Sequence, residues 1–257
     1  MKTAILAALG AGKRIMEIYN HENFGIDFKS DDSPLTKADL ASHKIIMTAL
    51  KKTNIPVLSE EGRDIDYSER KVWDQLWIVD PIDGTKEFIK RNGEFTVNIA
   101  LIENKKPVLG VIYVPALKDL YFASSDGSFH VKDIDSNTTF DDIAGNATKI
   151  PVYKPEKVYT IVSSKSHLSK ETQDFIDKVK SQKGEIKTIS KGSSLKLCMV
   201  AKGEADCYPR FAPTMEWDTA AGQAICSFAG KRVIDQETGE EMLYNRKDLL
   251  NNWFIVQ

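Results

Sequence analysis

The apolar positions of the chain fall into two rhythms, one helical and one of extended strands. Ile5, Leu9, Met16 and Tyr19 lie near one stripe and predict a helix over residues 1–20. Phe24, Ile26 and Phe28 alternate as a strand does, and Ser30-Asp31-Asp32-Ser33-Pro34 reads as a loop. Thr36 with Asp39 three residues on has capping-box spacing. It opens a helix from 37 to about 52 with Leu40, Ile45, Ile46 and Leu50 as its apolar positions. Val57-Leu58 is a short strand that ends in Ser59-Glu60-Glu61-Gly62. Leu76-Trp77-Ile78-Val79 reads as a buried strand, expected to stop at Asp80 because Pro81 follows. Residues 95–102 and 108–114 read as paired strands across a turn at 103–107, and Leu120-Tyr121-Phe122 continues the meander.

Residues 132–150 are polar and rich in turn formers, which places a division there. It separates an N-terminal α+β half, 1–145, from a C-terminal α/β half, 146–257. The second half alternates: strand 158–162, helix 170–181, strand 186–189, helix 193–201, strand 205–208, helix 218–229. That alternation predicts an α/β fold class, with the second half forming an α/β layer.

Composition narrows the classes of function. The 257 residues, 42% of them hydrophobic, are enough for a sizeable core. A net charge of −2, with the basic residues scattered among acids, provides no basic face for a nucleic acid. No apolar run approaches the ~20 residues needed to span a bilayer. The first ten residues have only a faint signal-peptide character, and an amphipathic first helix fits them better. Cys198, Cys207 and Cys226 form neither a metal-type pair nor a disulfide framework, which suits a reducing cytoplasm.

Candidate chemistry concentrates at the ends of predicted elements. Gly10-Ala11-Gly12-Lys13 has a fragment of phosphate-loop spacing but no preceding strand, and reads as helix packing. Cys198 lies among Leu195, Leu197, Met199 and Val200, a core setting. The four histidines are scattered, so no His-rich transition-metal site is evident. Asp80-Pro81-Ile82-Asp83-Gly84-Thr85 is different: two acids at a strand end, then free N–H groups ahead of a helical segment. Such a stretch can hold hard cations and a phosphate, and taken alone it is equally a polar surface turn. Glu60-Glu61 also follows a strand; Asp39 and Asp218 each stand in the first turn of a helix, where an acid is often only a cap.

Taken together, Asp80-Pro81-Ile82-Asp83-Gly84-Thr85, Trp217-Asp218-Thr219-Ala220-Ala221-Gly222 and Leu58-Ser59-Glu60-Glu61 resemble, in order, the three motifs of the inositol monophosphatase superfamily. The resemblance covers essentially the whole chain. The stretch from Gly84 to Leu101, with Ser163-Ser164-Lys165-Ser166-His167, Gly192-Ser193-Ser194-Leu195-Lys196 and Tyr208-Pro209-Arg210-Phe211, is similar to the CysQ branch of 3′(2′),5′-bisphosphate nucleotidases. It implies the layered sugar-phosphatase fold and Mg²⁺-dependent, Li⁺-sensitive hydrolysis of adenosine 3′,5′-bisphosphate (PAP) to AMP and phosphate. The sulfated relative of PAP (PAPS) is implied as a further substrate, and PAP recycling in sulfur metabolism as the setting. Two or three Mg²⁺ ions are implied, on Glu60, Asp80, Asp83, Asp218 and the Ile82 carbonyl. Gly84 and Thr85 would meet the phosphate, Thr85 and Asp39 would orient or activate water with Glu60 nearby, and Glu61 would stand behind the ligands. His167, Ser193, Lys196 and Arg210 would contact the nucleotide. An inositol- or fructose-phosphate phosphatase is the alternative within the superfamily, and a non-catalytic metal or nucleotide sensor the alternative outside it.

Overall fold

The computed structural model describes residues 1–21, 26–28, 34–152, 158–164 and 169–257, with the backbone alone at 26–28, 34 and 35. In chain order the first elements are α1 (Lys2–Tyr19), β1 (Ile26–Phe28), β2 (Pro34–Thr36), α2 (Lys37–Leu50, followed by a 3₁₀ turn at Lys51–Thr53), β3 (Val57–Ser59), α3 (Tyr67–Arg70), β4 (Gln75–Asp83), α4 (Thr85–Ile89), β5 (Thr96–Glu103) and β6 (Lys106–Val114). They are followed by β7 (Asp119–Ser124), β8 (Gly127–Val131), α5 (Phe140–Asn146), β9 (Thr148–Ile150), β10 (Tyr159–Ser164), α6 (Lys170–Lys183), β11 (Ile186–Lys191), α7 (Leu195–Lys202), β12 (Tyr208–Arg210), α8 (Glu216–Phe228), β13 (Val233–Asp235) and β14 (Phe254–Val256).

β3 to β9 form one seven-stranded sheet in sequence order. Only β3 and β4 run parallel; the others form an antiparallel meander. A second layer joins the parallel pair β10–β11 to the antiparallel order β12–β14–β13 through a bridge between Ile161 and Cys207. α1 and α2 cover one face of the large sheet, and α8, flanked by α7, lies between its other face and the second layer. α6 packs outside the second layer, setting its Ile176 and Val179 against Ile161 and Cys207. The result is alternating helix and sheet layers, as the family resemblance implies.

Both faces of the large sheet are buried, and successive residues of one strand serve different cores. Trp77, Val79, Val97, Ile99 and Val111 pack with Ile5, Leu9 and Ile46. Leu76, Ile78, Ala100, Ile102 and Ile112 pack with Leu197, Ala221 and Ile225. Strands buried on both sides read as continuous apolar runs, which is why these were legible from sequence. The Gly10–Lys13 fragment is helix packing: a Cβ on Gly12 would lie 2.3 Å from the Tyr113 ring.

Several expectations are corrected. β4 does not stop at Asp80 but runs to Asp83, with the β4–β5 register broken between those two residues. Pro81, which has no N–H, falls inside that break, where no ladder bond is required of it. Pro34, read as loop, begins β2. The hairpin after β5 uses only Asn104 and Lys105, both at positive φ (49° and 66°), a combination that matches strand twist. α5 and β9 occupy a stretch read as turns, β8 just before it is a strand that the sequence reading did not include, and β9 pairs with β8 of the large sheet. β12 begins at Tyr208, later than expected, and the three-residue β13 and β14 carried no periodic signal. Leu40 of α2 is exposed. Phe24 and residues 30–33 lie outside the described residues.

Gly110 of β6 lets α8 touch the sheet. A Cβ there would stand 2.4 Å from the Ala221 carbonyl oxygen and 2.8 Å from Ala224 Cβ. Backbone cannot yield as a flexible side chain does, so Gly110→Ala should lower unfolding free energy by about 1–3 kcal/mol in urea titrations. Unchanged stability would contradict this close approach.

Candidate active site

The break in β4 builds the centre of the site. Asp80 is paired with Asn98 on one side of the break and Asp83 with Thr96 on the other. Asp80 Oδ1 accepts the Ile82 N–H at 3.0 Å, and Ser42 of α2 donates to the Pro81 carbonyl at 2.8 Å. The backbone groups freed by the break are thus bonded locally. The chain then turns at Gly84, where φ is +92°, into α4. A Cβ on Gly84 would lie 3.1 Å from the Glu94 carbonyl oxygen and 3.2 Å from Ser193 Cβ, so the residue is required by conformation and by space.

Other elements converge on that turn. Glu60 follows β3, held by its N–H to the Val79 carbonyl at 3.1 Å. Asp218 stands in the first turn of α8, where its Oδ2 accepts the Met215 N–H at 2.8 Å. Oxygens of Asp80, Asp83 and Asp218 all lie within 4.8 Å of one another. The carboxyl of Glu60 hydrogen-bonds that of Asp80. Asp39 is buried behind Thr85. Its Oδ2 accepts both the Thr36 N–H and Oγ–H, at 2.8 and 2.5 Å, while Oδ1 accepts the Thr85 hydroxyl at 3.2 Å. Asp39 is therefore both the acid of the α2 capping box, whose N-cap is Thr36, and the partner of Thr85.

Crowding of acids shapes the electrostatics. Burial first, then Glu60, Asp83 and Asp218, push the Asp80 carboxyl well above the usual carboxylate range. Burial, then Asp83 and Glu60, raise Asp218 to about 8. Burial raises Asp83 to about 6, opposed first by Lys196 and then by the Ser194 N–H. Burial lowers Lys196 to about 8 against the pull of Asp83. The cluster offers only oxygen donors, the set that suits hard divalent cations such as Mg²⁺.

The family model of the "Inositol monophosphatase family" matches residues 1–255. The chain belongs to the inositol monophosphatase family. It is 44% identical over 253 residues to the 3′(2′),5′-bisphosphate nucleotidase CysQ of Salmonella typhimurium, covering 97% of this chain and 96% of that one. It superposes on the crystal structure of CysQ from Bacteroides thetaiotaomicron with TM-score 0.91 and 50% identity, covering 99% of this chain and 95% of that one. The suhB protein of Bartonella henselae is similar at TM-score 0.75 and 26% identity, over 100% of this chain and 92% of that one.

Within this family member, Glu60, Asp83, Gly84, Thr85, Ser193, Lys196, Arg210 and Asp218 line one cavity of about 260 Å³. Asp80 and Ile82 are buried beneath it and Asp39 behind it. The Ile82 carbonyl lies 3.3 Å from the Thr85 hydroxyl. His167 lies outside the described residues. Sequence reasoning gave no role to Glu87, Tyr208 or Phe254, which also line the cavity. Tyr208 and Glu87 stand inside quoted motifs; Phe254, in a three-residue strand near the C-terminal end, left no local signal.

Asp83 and Asp218 titrate above the unfolded carboxylate value, so the native metal-free protein binds more protons than the unfolded chain. Their contribution to stability is therefore intact below about pH 4 and is lost as pH rises through about 6 and about 8. Lys196 acts in a separate window, above its folded value of about 8. Mg²⁺ should consequently raise the thermal midpoint more at pH 8 than at pH 5, measured against protein in chelator. An equal or smaller rise at pH 8 would contradict the reading.

Proposed function

We propose that this chain is a Mg²⁺-dependent 3′(2′),5′-bisphosphate nucleotidase that hydrolyses the 3′-phosphate of PAP to AMP and phosphate, and acts also on PAPS. The observation that carries this reading is the pairing, in one cavity, of the acidic cluster with a cationic wall. Lys196 and Arg210 are both buried there. Ser193 Oγ and Arg210 Nε are buried with no hydrogen-bond partner among the described residues. Buried donors without partners call for a polar ligand. A nucleotide with two separated phosphates satisfies both ends, whereas an inositol monophosphate has only one anionic group. The likeness to proteins named as CysQ bisphosphate nucleotidases supports the same substrate.

In this reading Glu60, Asp80, Asp83 and Asp218, with the Ile82 carbonyl, hold two or three Mg²⁺ ions, which Li⁺ would antagonise. Mg²⁺ held there supplies positive charge against the phosphate dianion and makes bound water more acidic. Gly84 and Thr85 present backbone N–H groups to the phosphate. Asp39 keeps one oxygen tied to Thr36 and the other on Thr85. Thr85 can thus pass its proton to Asp39 while accepting one from the attacking water. The water oxygen forms a bond to phosphorus as the bond to the ribose 3′-oxygen breaks, and that oxygen leaves with a proton. Ser193, Lys196, Arg210 and His167 bind the rest of the nucleotide. Residues 1–145 supply most of the metal site, and 146–257 supply Asp218 and the nucleotide contacts. No described helix is long and apolar enough to cross a membrane; we place the enzyme in the cytoplasm as part of the same proposal.

A substrate panel with Mg²⁺ tests the reading. PAP should be cleaved with the highest kcat/KM, ahead of inositol and fructose phosphates. Lys196→Ala should raise KM for PAP about tenfold or more, the loss of one charge-assisted contact, while leaving KM for a small sugar phosphate nearly unchanged. Equal effects on both, or preference for an inositol phosphate in the parent protein, would overturn it.

A further inference from the structure

Asp83 is held from both halves of the chain. Asn98 and Thr96 stand on one face of β5, two residues apart, beside the end of β4. Asn98 Nδ2 donates to Asp83 Oδ2 at 3.5 Å. From the loop between β11 and α7, the Ser194 backbone N–H donates to the same carboxylate. Ser194 Oγ also lies 2.8 Å from Asn98 Oδ1 and 2.8 Å from Thr96 Oγ1. Thr96, Asn98 and Ser194 are all buried.

The donor directions in this chain have one consistent solution. An ionised carboxylate only accepts, so Asn98 must turn Nδ2 toward Asp83 and Oδ1 away from it. Oδ1 only accepts, so the Ser194 hydroxyl must donate to it. That leaves Ser194 Oγ to accept from Thr96. The order Thr96 to Ser194 to Asn98 to Asp83 locks the amide against a flip that would set Oδ1 against the carboxylate.

We infer that Ser194 and Asn98 are positioning residues for metal binding: they fix the rotamer of Asp83 so that its remaining lone pairs face Asp80 and Asp218, without contacting an ion themselves. The inference rests on the reading of Asp83 as a metal ligand. Partners behind a ligand typically govern 10- to 100-fold of metal affinity, roughly the scale expected here. Ser194 follows Ser193 and stands two residues before Lys196, so the loop that lines the nucleotide cavity also holds a carboxylate of the cluster. Metal and nucleotide affinities are then linked through it, each raising the other by the same factor.

The test is calorimetric titration of Mg²⁺ into metal-free protein, with the thermal midpoint in chelator recorded for each variant. Ser194→Ala and Asn98→Ala should each weaken Mg²⁺ binding about tenfold, whereas Thr96→Ser, which keeps the hydroxyl, should stay within about twofold. The midpoint of Ser194→Ala in chelator should stay within a few degrees of the parent, so that the loss is not one of fold. Asp83→Asn serves as the reference and should lose more affinity than either. Unchanged Mg²⁺ affinity in the two alanine variants beside a weakened Asp83→Asn overturns the positioning role alone. Unchanged affinity in Asp83→Asn overturns the ligand reading beneath it. Should Asn98→Ala fail to fold, Ser194→Ala and Thr96→Val carry the same comparison: weakened binding supports the role and parental binding overturns it.

Discussion

Repulsion among carboxylates that the fold forces together is the constraint on which this structure turns. Asp80, Asp83 and Asp218 bring oxygens within 4.8 Å of one another, with Glu60 bonded to Asp80, in a setting that burial makes hostile to charge. Like charges at such distances interact by several kcal/mol at the effective dielectric of a protein, about 20. Packing elsewhere must hold the cluster in place, and the repulsion eases only when protons or cations arrive. A site of this kind is an instrument for gathering positive charge, which is what hydrolysis of a phosphate dianion requires.

The layers supply that rigidity. Asp80 and Asp83 stand on a strand with cores on both faces, and Asp218 stands on a helix that Gly110 allows against the same sheet. The break at Pro81 gives the two β4 acids an irregular backbone in the midst of a regular sheet. The cationic residues arrive from α7 and β12, more than a hundred positions along the chain from β4. Their chain connections are remote from β4, so in the proposed function the cationic wall can vary while the acidic centre stays fixed.

Much of this was legible in the sequence, for specific reasons. Strands β4 to β7 show as apolar runs because both of their faces are buried, and the Thr36–Asp39 capping box is a local pattern. The meeting of Asp39 with Thr85, separated by 46 positions, has no local trace; the family resemblance supplied it. Asn98 was hidden because it interrupts an apolar run that otherwise reads as core. The strand through Pro81 was misjudged because a proline argues for a strand end unless the partner register also breaks there. β13 and β14 are too short to show a period.

The central claim is that Glu60, Asp80, Asp83 and Asp218, which the fold gathers from three separate elements, form a divalent metal site. The most direct measurement is anomalous diffraction from crystals grown with Mn²⁺, a redox-quiet stand-in that shares oxygen ligands with Mg²⁺. Two or three anomalous peaks among these four side chains, with the Ile82 carbonyl in reach of one, are predicted. A fully ordered site with no peak there at saturating Mn²⁺ would contradict the account.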